Sequence, residues 1–192
     1  MQNFDVYLFF FINRGMANPL FDILMPALTA QGYLLVLPLL FYCVLRGYAC
    51  REPSGRTHIA AAAAAVVIAC CAVLLADQLT DGVKTLAARP RPCQALEGVR
   101  LLVRCPRSFS LPSSHAATSF AYAVPPFLLT RRFLPLGWRI YPLGLAAVVA
   151  FSRPYLGVHY PSDALAGMFL GGVVAAVPCW LYGMASSRIG KK

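Results

Sequence analysis

Three short polar segments interrupt an otherwise apolar chain, and their residue types suit the chemistry of phosphoryl transfer. Their members are Lys84, Arg89 and Arg91, then Pro112-Ser113-Ser114-His115, then Ser152, Arg153, His159 and Asp163. Arginine and lysine bind phosphate oxygens, and imidazoles can attack phosphorus or transfer protons. Two of the chain's three histidines lie in these segments. This concentration indicates an enzyme.

The stretches that must position these residues are hydrophobic enough for a membrane. Hydrophobic residues make up 59% of the 192 and charged residues 12%, against roughly 45–50% and 25% in soluble proteins. Five apolar stretches approach the ~20 residues that cross a bilayer. They are Leu20–Leu45, Ile59–Ala76, Ala116–Thr130 with a Pro125-Pro126 break, Leu136–Ser152 and Ala164–Met184. The predicted fold class is all-α: a polytopic membrane helix bundle forming a single domain over residues 1–192.

The N-terminal segment Phe4–Ile12 is apolar but too short to span a bilayer. A secretory signal would need a basic start and a cleavage site of small residues, which this segment does not have. The segment is predicted to be an interfacial helix. If the helix extends to Arg14 and the following turn, it becomes a sixth crossing, so five to six transmembrane helices are expected.

Alternating spans place all three polar segments on one side of the membrane. Nine basic residues fall on the other side and eight on this one, of which Lys84, Arg91 and Arg153 belong to the candidate site. Without those three, the counts are nine basic residues on the other side and five on this one. The side with more basic residues is expected to be cytoplasmic. The polar segments therefore face the exterior. The net charge of +10 suits a protein lying against anionic lipid, and basic residues that flank spans disfavour nucleic acid.

The order and spacing of the polar segments resemble those of the type-2 phosphatidic acid phosphatase superfamily, the lipid phosphate phosphatases. The matching residues are Lys84-x6-Arg91-Pro92, Pro112-Ser113-x-His115 and Ser152-Arg153-x5-His159-x3-Asp163. The resemblance covers residues 84–163 directly. One departure is Ser114, where the family often has glycine.

The resemblance and the residue chemistry agree on the catalytic roles. His159 is the predicted nucleophile that forms a phosphohistidine, and Asp163, one helical turn later, accepts the other ring N–H. Pro161 fits the first turn of the helix that brings the two together. His115 is the predicted general acid and then general base.

The remaining site residues are predicted to bind the phosphate: Lys84, Arg91, Ser113, Ser114 and Arg153. Arg91 is preferred to Arg89 because only Arg91 satisfies the six-residue spacing. The resemblance implies neither metal nor other cofactor, and Asp and Glu total only seven. Asp81 is expected to pair with Lys84, and Asp77 to be buried.

Cys93 and Cys105 lie in the external loop between the first two polar segments, where an oxidising compartment permits a disulfide. We therefore predict a disulfide between them. The other cysteines lie in spans or toward the cytoplasmic side, and they are expected to act as small apolar residues.

The resemblance implies a metal-independent lipid phosphatase in the bacterial inner membrane, with its site facing the periplasm or exterior. For a chain this small it favours undecaprenyl diphosphate, the carrier lipid of cell wall biogenesis, as the substrate. Phosphatidylglycerophosphate, phosphatidic acid and lipid A are competing substrates. A lipid phosphotransferase and a non-catalytic lipid-binding or transport protein remain as alternatives. The partners expected are the lipid substrate and the bilayer, and the sequence names no protein partner.

Overall fold

The described residues fold into helices joined by loops, and no strand occurs among them. The computed structural model describes residues 2–29, residue 42 and residues 55–189. The helices are α1 (Gln2–Phe10) with a following π-helical turn (Phe11–Gly15), α2 (Pro19–Thr29), α3 (Gly55–Ala87), α4 (Pro92–Ala95), α5 (Ser114–Leu129), α6 (Leu136–Tyr155) and α7 (Pro161–Ile189). The predicted all-α class is confirmed.

Helices α3, α5, α6 and α7 correspond to the last four predicted spans. The first predicted span, Leu20–Leu45, lies within the described residues only as far as residue 29. Within the described ranges, α3 and α7 are long and apolar enough by themselves to cross a bilayer, within Thr57–Ala95 and Pro161–Ser186. Helix α3 continues about three turns past the predicted end at Ala76, and this extension carries Lys84.

The predicted break at Pro125-Pro126 is wrong, because α5 continues through both prolines to Leu129. Both prolines are buried within the bundle. Neighbouring helices and local hydroxyl groups can compensate for the backbone hydrogen bonds that proline removes from a membrane helix. The site-bearing start of α5 therefore belongs to one uninterrupted helix.

Small residues set the distance between the central helices. Helix α5 packs against α3, α6 and α7, and a buried cluster at its contacts with α3 and α7 consists of alanines, including Ala117 and Ala121. On α7, a Cβ at Gly167 would overlap the carbonyl oxygen of Ser113, and one at Gly171 would overlap that of Ala117. Glycines spaced four apart allow two membrane helices to approach closely. The start of α5 is thereby held against the start of α7.

The helices alternate in direction, so four ends meet at one end of the bundle. The C-terminal ends of α3 and α6 lie there with the N-terminal ends of α5 and α7. The backbone N–H of Ser113 donates to the carbonyl oxygen of Asp163 (3.0 Å), which ties the last two directly. The three polar segments lie at these four ends.

The N-terminal segment packs against this same end of the bundle. Phe9 is fully buried, and its ring centroid lies 5.8 Å from that of Tyr160. Asn13 is also buried, and its amide nitrogen donates to the carbonyl oxygens of Arg100 (2.8 Å) and Tyr155 (2.9 Å). Phe4 and Tyr7 remain exposed on the other face. The predicted short N-terminal helix is present, and one of its faces packs against the loops of the polar segments.

Candidate active site

The last turns of α3 supply a buried lysine. Lys84 is 8% exposed, and its Nζ donates to Asp81 Oδ1 at 2.9 Å and to Ser114 Oγ at the start of α5. Thr80 Oγ1 lies 3.1 Å from the same Ser114 hydroxyl. The expected Lys84–Asp81 pair is confirmed. The Ser114 hydroxyl therefore contacts two residues of α3, Thr80 and Lys84. A glycine at this position would offer neither contact.

The expectation that Asp77 is buried is wrong, because its side chain is exposed. Ala76 and Thr80, four residues apart, are the positions that α3 buries. Asp77 follows Ala76 by about 100° around the helix, which turns it away from the packed face. Its carbonyl oxygen accepts a hydrogen bond from Thr80 Oγ1 (2.7 Å).

Arg91 reaches the imidazole of His159 from the first polar segment. It occupies the N-cap position of α4 and is 3% exposed. Its Nη1 lies 2.9 Å from His159 Nε2 and donates to the carbonyl oxygen of Val158 (2.9 Å). Its Nε and Nη2 donate to the carbonyl and hydroxyl oxygens of Ser108 (2.7 and 2.9 Å). These contacts fix the plane of the guanidinium against one ring nitrogen.

A tight loop between α6 and α7 carries His159. Gly157 has φ +86°, a left-handed conformation that favours glycine. A Cβ at this position would lie 2.7 Å from the carbonyl oxygen of Arg100. The turn therefore requires glycine for both reasons, and it brings His159 to the bundle end at 2% exposure.

Asp163 lies behind the imidazole, on the Nδ1 side. Pro161 is the first residue of α7 as predicted, and Asp163 is fully buried in its first turn. Its Oδ2 accepts hydrogen bonds from the N–H of Tyr160 (2.8 Å) and the hydroxyl of Ser110, half of a capping-box arrangement. The distance from Oδ2 to His159 Nδ1 is 3.7 Å, longer than a hydrogen bond. Asp163 therefore faces Nδ1, while its hydrogen bonds from Tyr160 and Ser110 keep Oδ2 beyond hydrogen-bond distance of the ring.

The surroundings of His159 favour its neutral form. Burial, together with the nearby cations of Arg91 and Arg153, lowers its pKa to about 4 against the opposing effect of the Asp163 carboxylate. Because Arg91 donates toward Nε2, this nitrogen carries the lone pair, and the ring proton belongs on Nδ1. The ring is therefore a neutral imidazole whose Nε2 faces the cations.

His115 and Arg153 lie close to this imidazole. His115 is half-buried in the first turn of α5. It experiences the positive charges of Arg153, Lys84 and Arg91 and interacts electrostatically with His159. Arg153, 5% exposed, occupies the last turn of α6. The structure thus brings together residues from all three polar segments.

Ser113 caps α5 without using its side chain. Its Oγ is buried and has no hydrogen-bond partner among the described residues. Its N–H donates to the carbonyl oxygen of Asp163, so this amide is already bound within the protein. The amides of the following residues in the first turn are the ones that lack a partner inside the helix.

Sequence reasoning missed a second layer of residues behind Asp163. Arg89 Nη1 donates to Asp163 Oδ1 (2.6 Å) and Ser162 Oγ (2.7 Å), and its Nη2 donates to Asp5 Oδ2 (2.6 Å). Its guanidinium carbon lies 3.9 Å from the ring centroid of Tyr160. Arg89 was visible in the sequence as the second register of the first segment. Nothing in the sequence pattern pointed to Asp5.

The disulfide between Cys93 and Cys105 is present, with its Cα atoms 6.2 Å apart. It joins α4, which begins after Arg91, to the loop that contains Ser108. The predicted bridge is therefore confirmed. Across the described part of the chain, no group of three His, Cys, Asp or Glu residues is arranged to hold a metal ion.

The sequence of this chain is similar to those of known lipid phosphatases. The chain is 30% identical over 182 residues to a lipid A 4'-phosphatase of Bacteroides thetaiotaomicron, covering 90% of this chain and 74% of that protein. It is 32% identical over 104 residues to an undecaprenyl-diphosphatase of Sulfolobus acidocaldarius, covering 53% of this chain and 48% of that protein.

A solved structure shares the fold. The transmembrane PAP2-type phosphatidylglycerolphosphate phosphatase of Bacillus subtilis superposes with a TM-score of 0.69 at 21% identity, covering 95% of this chain and 86% of that one. The fold is therefore that of a membrane helix bundle. The PAP2 superfamily matches residues 65–187, and the chain belongs to this family of membrane lipid phosphatases.

Proposed function

We propose that this protein hydrolyses a lipid phosphate or diphosphate through a phosphohistidine on His159. The observation that carries the proposal is the placement of a neutral His159, with Nε2 2.9 Å from Arg91 Nη1 and Nδ1 facing Asp163. An imidazole so placed has its lone pair directed at the group of cations. It is suited to attack a phosphorus atom whose oxygens those cations bind.

The reaction has two steps. His159 Nε2 forms a bond to phosphorus while the bond from phosphorus to the lipid-side oxygen breaks, and His115 donates a proton to that leaving oxygen. His115 then accepts a proton from water as the water oxygen attacks phosphorus and the N–P bond breaks. Inorganic phosphate leaves, and both histidines return to their starting states.

The charge of the transferring group is stabilised by Lys84, Arg91 and Arg153. In the first step Arg91 turns one N–H from His159 Nε2 to a phosphate oxygen, which frees the lone pair. Arginine's planar fork keeps its remaining donors on Ser108 during this change. Preorganised cations supply the stabilisation that a metal would otherwise give. We therefore propose that the activity is independent of metal ions.

The site is proposed to face the exterior of a bacterial cytoplasmic membrane. The count of basic residues supports this side, and the Cys93–Cys105 disulfide fits an oxidising compartment. The scissile group would then lie at the outer membrane–water boundary.

The relatives support two substrates. The relative that matches 90% of this chain is a lipid A 4'-phosphatase, so a glycolipid phosphate of that kind is the first candidate. Undecaprenyl diphosphate, favoured by the small size of the chain, is the second, and a relative of that activity matches about half the chain. Both substrates present a phosphate on a large apolar anchor.

Phosphate release from a panel of purified lipids in detergent tests the proposal. The panel contains lipid A, undecaprenyl diphosphate, phosphatidylglycerophosphate and phosphatidic acid, each with and without excess chelator. We expect one class to be hydrolysed fastest, with the same rate in chelator. Appearance of the phosphate on a second lipid instead of in solution would identify a phosphotransferase, and loss of all turnover in chelator would contradict metal independence.

A matched pair of variants tests the nucleophile. His159→Asn keeps a side chain of similar shape and removes the nucleophilic nitrogen, so we expect neither turnover nor an acid-labile phosphoenzyme. His115→Asn should slow turnover but still allow slow labelling. Normal turnover in His159→Asn would contradict the mechanism, and no turnover of any lipid by the wild-type chain would favour a binding or transport protein.

A further inference from the structure

The N-terminal helix α1 contributes a carboxylate to the layer behind the imidazole. Asp5 uses both oxygens: Oδ1 accepts the N–H of Ser162 (3.0 Å), and Oδ2 accepts the hydroxyl of Ser162 and Nη2 of Arg89. The N–H groups in the first turn of a helix have no partner inside it and attract negative charge. Asp5 therefore binds the start of α7 and the arginine that contacts Asp163.

Arg89 connects two carboxylates that belong to different helices. Its Nη1 lies 2.6 Å from Asp163 Oδ1, and its Nη2 lies 2.6 Å from Asp5 Oδ2. The exposed side-chain fractions are 24% for Arg89, 13% for Asp5 and 0% for Asp163. Such burial weakens solvent screening, so each charge in the row influences the next more strongly than on an open surface.

The position of Asp5 is fixed by the rest of its helix. Phe9 is fully buried and packs against Tyr160, the residue between His159 and α7. Asn13 is buried one helical turn later and is bound to Tyr155 and Arg100. The helix is thus attached at three places to the loops that carry the site, and Asp5 is the attachment nearest to Asp163.

We propose that Asp5 is a positioning residue for the reaction, acting through Arg89 to set the orientation and the effective charge of Asp163 behind His159. This inference rests on the proposed role of His159. With Asp5 present, Arg89 is shared between two carboxylates. Without it, Arg89 neutralises Asp163 alone, so Asp163 stabilises the imidazolium-like ring of the phosphohistidine step less well.

The test compares two carboxylates of the N-terminal region. Asp5→Asn keeps the shape and an oxygen for Ser162 but removes the charge. The control is Asp22→Asn, because Asp22 also pairs with an arginine, Arg100, and with the hydroxyl of Tyr155, but forms no hydrogen bond or ion pair with Asp163. Thermal unfolding in detergent measures how much stability each variant loses.

We expect Asp5→Asn to lower kcat by about ten- to a hundred-fold, since small misplacements at a reacting centre cost on that order. KM for dioctanoyl phosphatidic acid in micelles should change less than about two-fold, because the phosphate-binding cations lie on the other side of the ring. Asp22→Asn should keep the wild-type kcat. Asp5→Glu, which retains the charge, should recover part of the rate.

The pH profile separates positioning from general damage to the fold. The charged groups around His159 are Arg91 from the α4 cap, Arg153 from α6, Asp163 from α7 and, through Asp163, Arg89 and Asp5; His115 of α5 is the other nearby titratable group. Asp5→Asn removes a negative charge, so the acid limb of kcat/KM should move to lower pH. Arg89→Gln removes a positive charge and should move it to higher pH.

The possible results are distinct. Equal kcat values in Asp5→Asn and Asp22→Asn, or an acid limb that moves in neither Asp5→Asn nor Arg89→Gln, would overturn the inference, while turnover by the wild type would still uphold the proposed function. Absence of turnover in the wild-type chain across the lipid panel would instead overturn the proposed function. If the two variants lose the same stability but only Asp5→Asn loses kcat, the result supports a positioning role for Asp5.

Discussion

The two sides of the His159 ring are built differently. On the Nε2 side, Arg91 makes contact and the charge of Arg153 also acts on the ring, while Lys84 acts on the neighbouring His115, so positive charge dominates. On the Nδ1 side, Ser110 and Asp163 come first, followed by Arg89 and then Asp5, with alternating charges. The first side is suited to attract a phosphate, and the second is suited to hold one ring orientation.

The difference shows that binding a charged phosphate and holding an imidazole in place require separate sets of hydrogen bonds. Cations for the phosphate must be able to redirect a donor, as Arg91 can by releasing the ring while its hydrogen bonds to Ser108 and Val158 hold the guanidinium in place. The carboxylate behind the ring must instead be fully bound, as Asp163 is by three donors. A buried carboxylate without such partners would be costly.

The largest effect is expected from Arg91→Lys on the Nε2 side. Lysine keeps the charge but cannot reach Ser108, Val158 and His159 together, as the planar guanidinium does. Removing one preorganised donor to a transition-state charge costs about 10²–10³ in kcat. We expect a loss of about a hundred-fold, measured as phosphate release from the best substrate.

The control for this variant is Arg107→Lys, an exposed arginine in the same loop as Ser108. It should keep the wild-type rate within about two-fold, because surface charges contribute little. If the two substitutions cost the same, the assignment of the Nε2 side to phosphate binding is wrong.

The pH dependence examines the balance between the two sides. Because burial and the cations lower the pKa of His159 to about 4, the ring stays neutral well below its usual range. We expect kcat/KM to hold down to about pH 5 and then fall about ten-fold per pH unit below pH 4. A measured loss centred near 6.5, the ordinary histidine value, would show that the ring is neither buried nor surrounded by cations in the working enzyme.

The same pKa has a consequence for stability with a defined sign. An unfolded chain protonates His159 near pH 6.5, whereas the folded chain resists until about pH 4. The stability that comes from keeping this ring neutral is complete above pH 6.5 and is lost as the pH falls toward 4. Thermal unfolding of wild type and His159→Asn between pH 7 and 4 should therefore converge at low pH.

The close contact between α5 and α7 holds His115 of α5 in a fixed position relative to Asp163 of α7. A single added methyl group can disturb this contact. Gly171→Ala adds a Cβ that would overlap the carbonyl oxygen of Ala117, whereas Gly172→Ala adds one with no neighbour within 4 Å. Overpacking costs about 1–3 kcal/mol of unfolding free energy. We expect Gly171→Ala to lower both Tm and kcat, because His115 of α5 shifts relative to Asp163, and Gly172→Ala to change neither. Equal Tm values for the two variants would contradict this packing.

The sequence predicted the Nε2 side far better than the Nδ1 side. Lys84, Arg91, Arg153, His115 and His159 stand at fixed spacings next to helix ends, and spacing along the chain is what a sequence pattern records. The residues behind Asp163 are brought in by tertiary contacts, and Asp5 lies 158 positions before Asp163 in the numbering. Its only local signal was a charge in an apolar helix, which equally fits a headgroup contact.

The positions of the helices could be predicted from hydrophobicity, but their ends could not. The apolar stretches indicated α3, α5, α6 and α7, because a bilayer selects for long hydrophobic runs. The apolar stretch that predicts α3 ends at Ala76 although the helix continues to Ala87, since its last turns are polar and gain stability from Ser114 and Asp81 contacts rather than from lipid. The turn at Gly157 was missed as well, because one glycine does not reveal a positive φ.

The smallest effect is expected from opening the Cys93–Cys105 loop, which borders the Nε2 side only. In the chain-entropy model, closing a loop of this size contributes on the order of 3 kcal/mol. The loop holds α4, whose N-cap is Arg91, near Ser108, which accepts two of the hydrogen bonds from Arg91. Cys93→Ser/Cys105→Ser should therefore lower kcat/KM several-fold through Arg91 without moving the acid limb of the pH profile, because residues 93–105 form no hydrogen bond or ion pair with Asp163. The control is Cys70→Ser/Cys71→Ser, which alters two exposed free cysteines of α3 and should leave kcat/KM unchanged. A shift of the acid limb in the loop variant would mean that the loop acts on the Nδ1 side, and the division between the two sides would then be wrong.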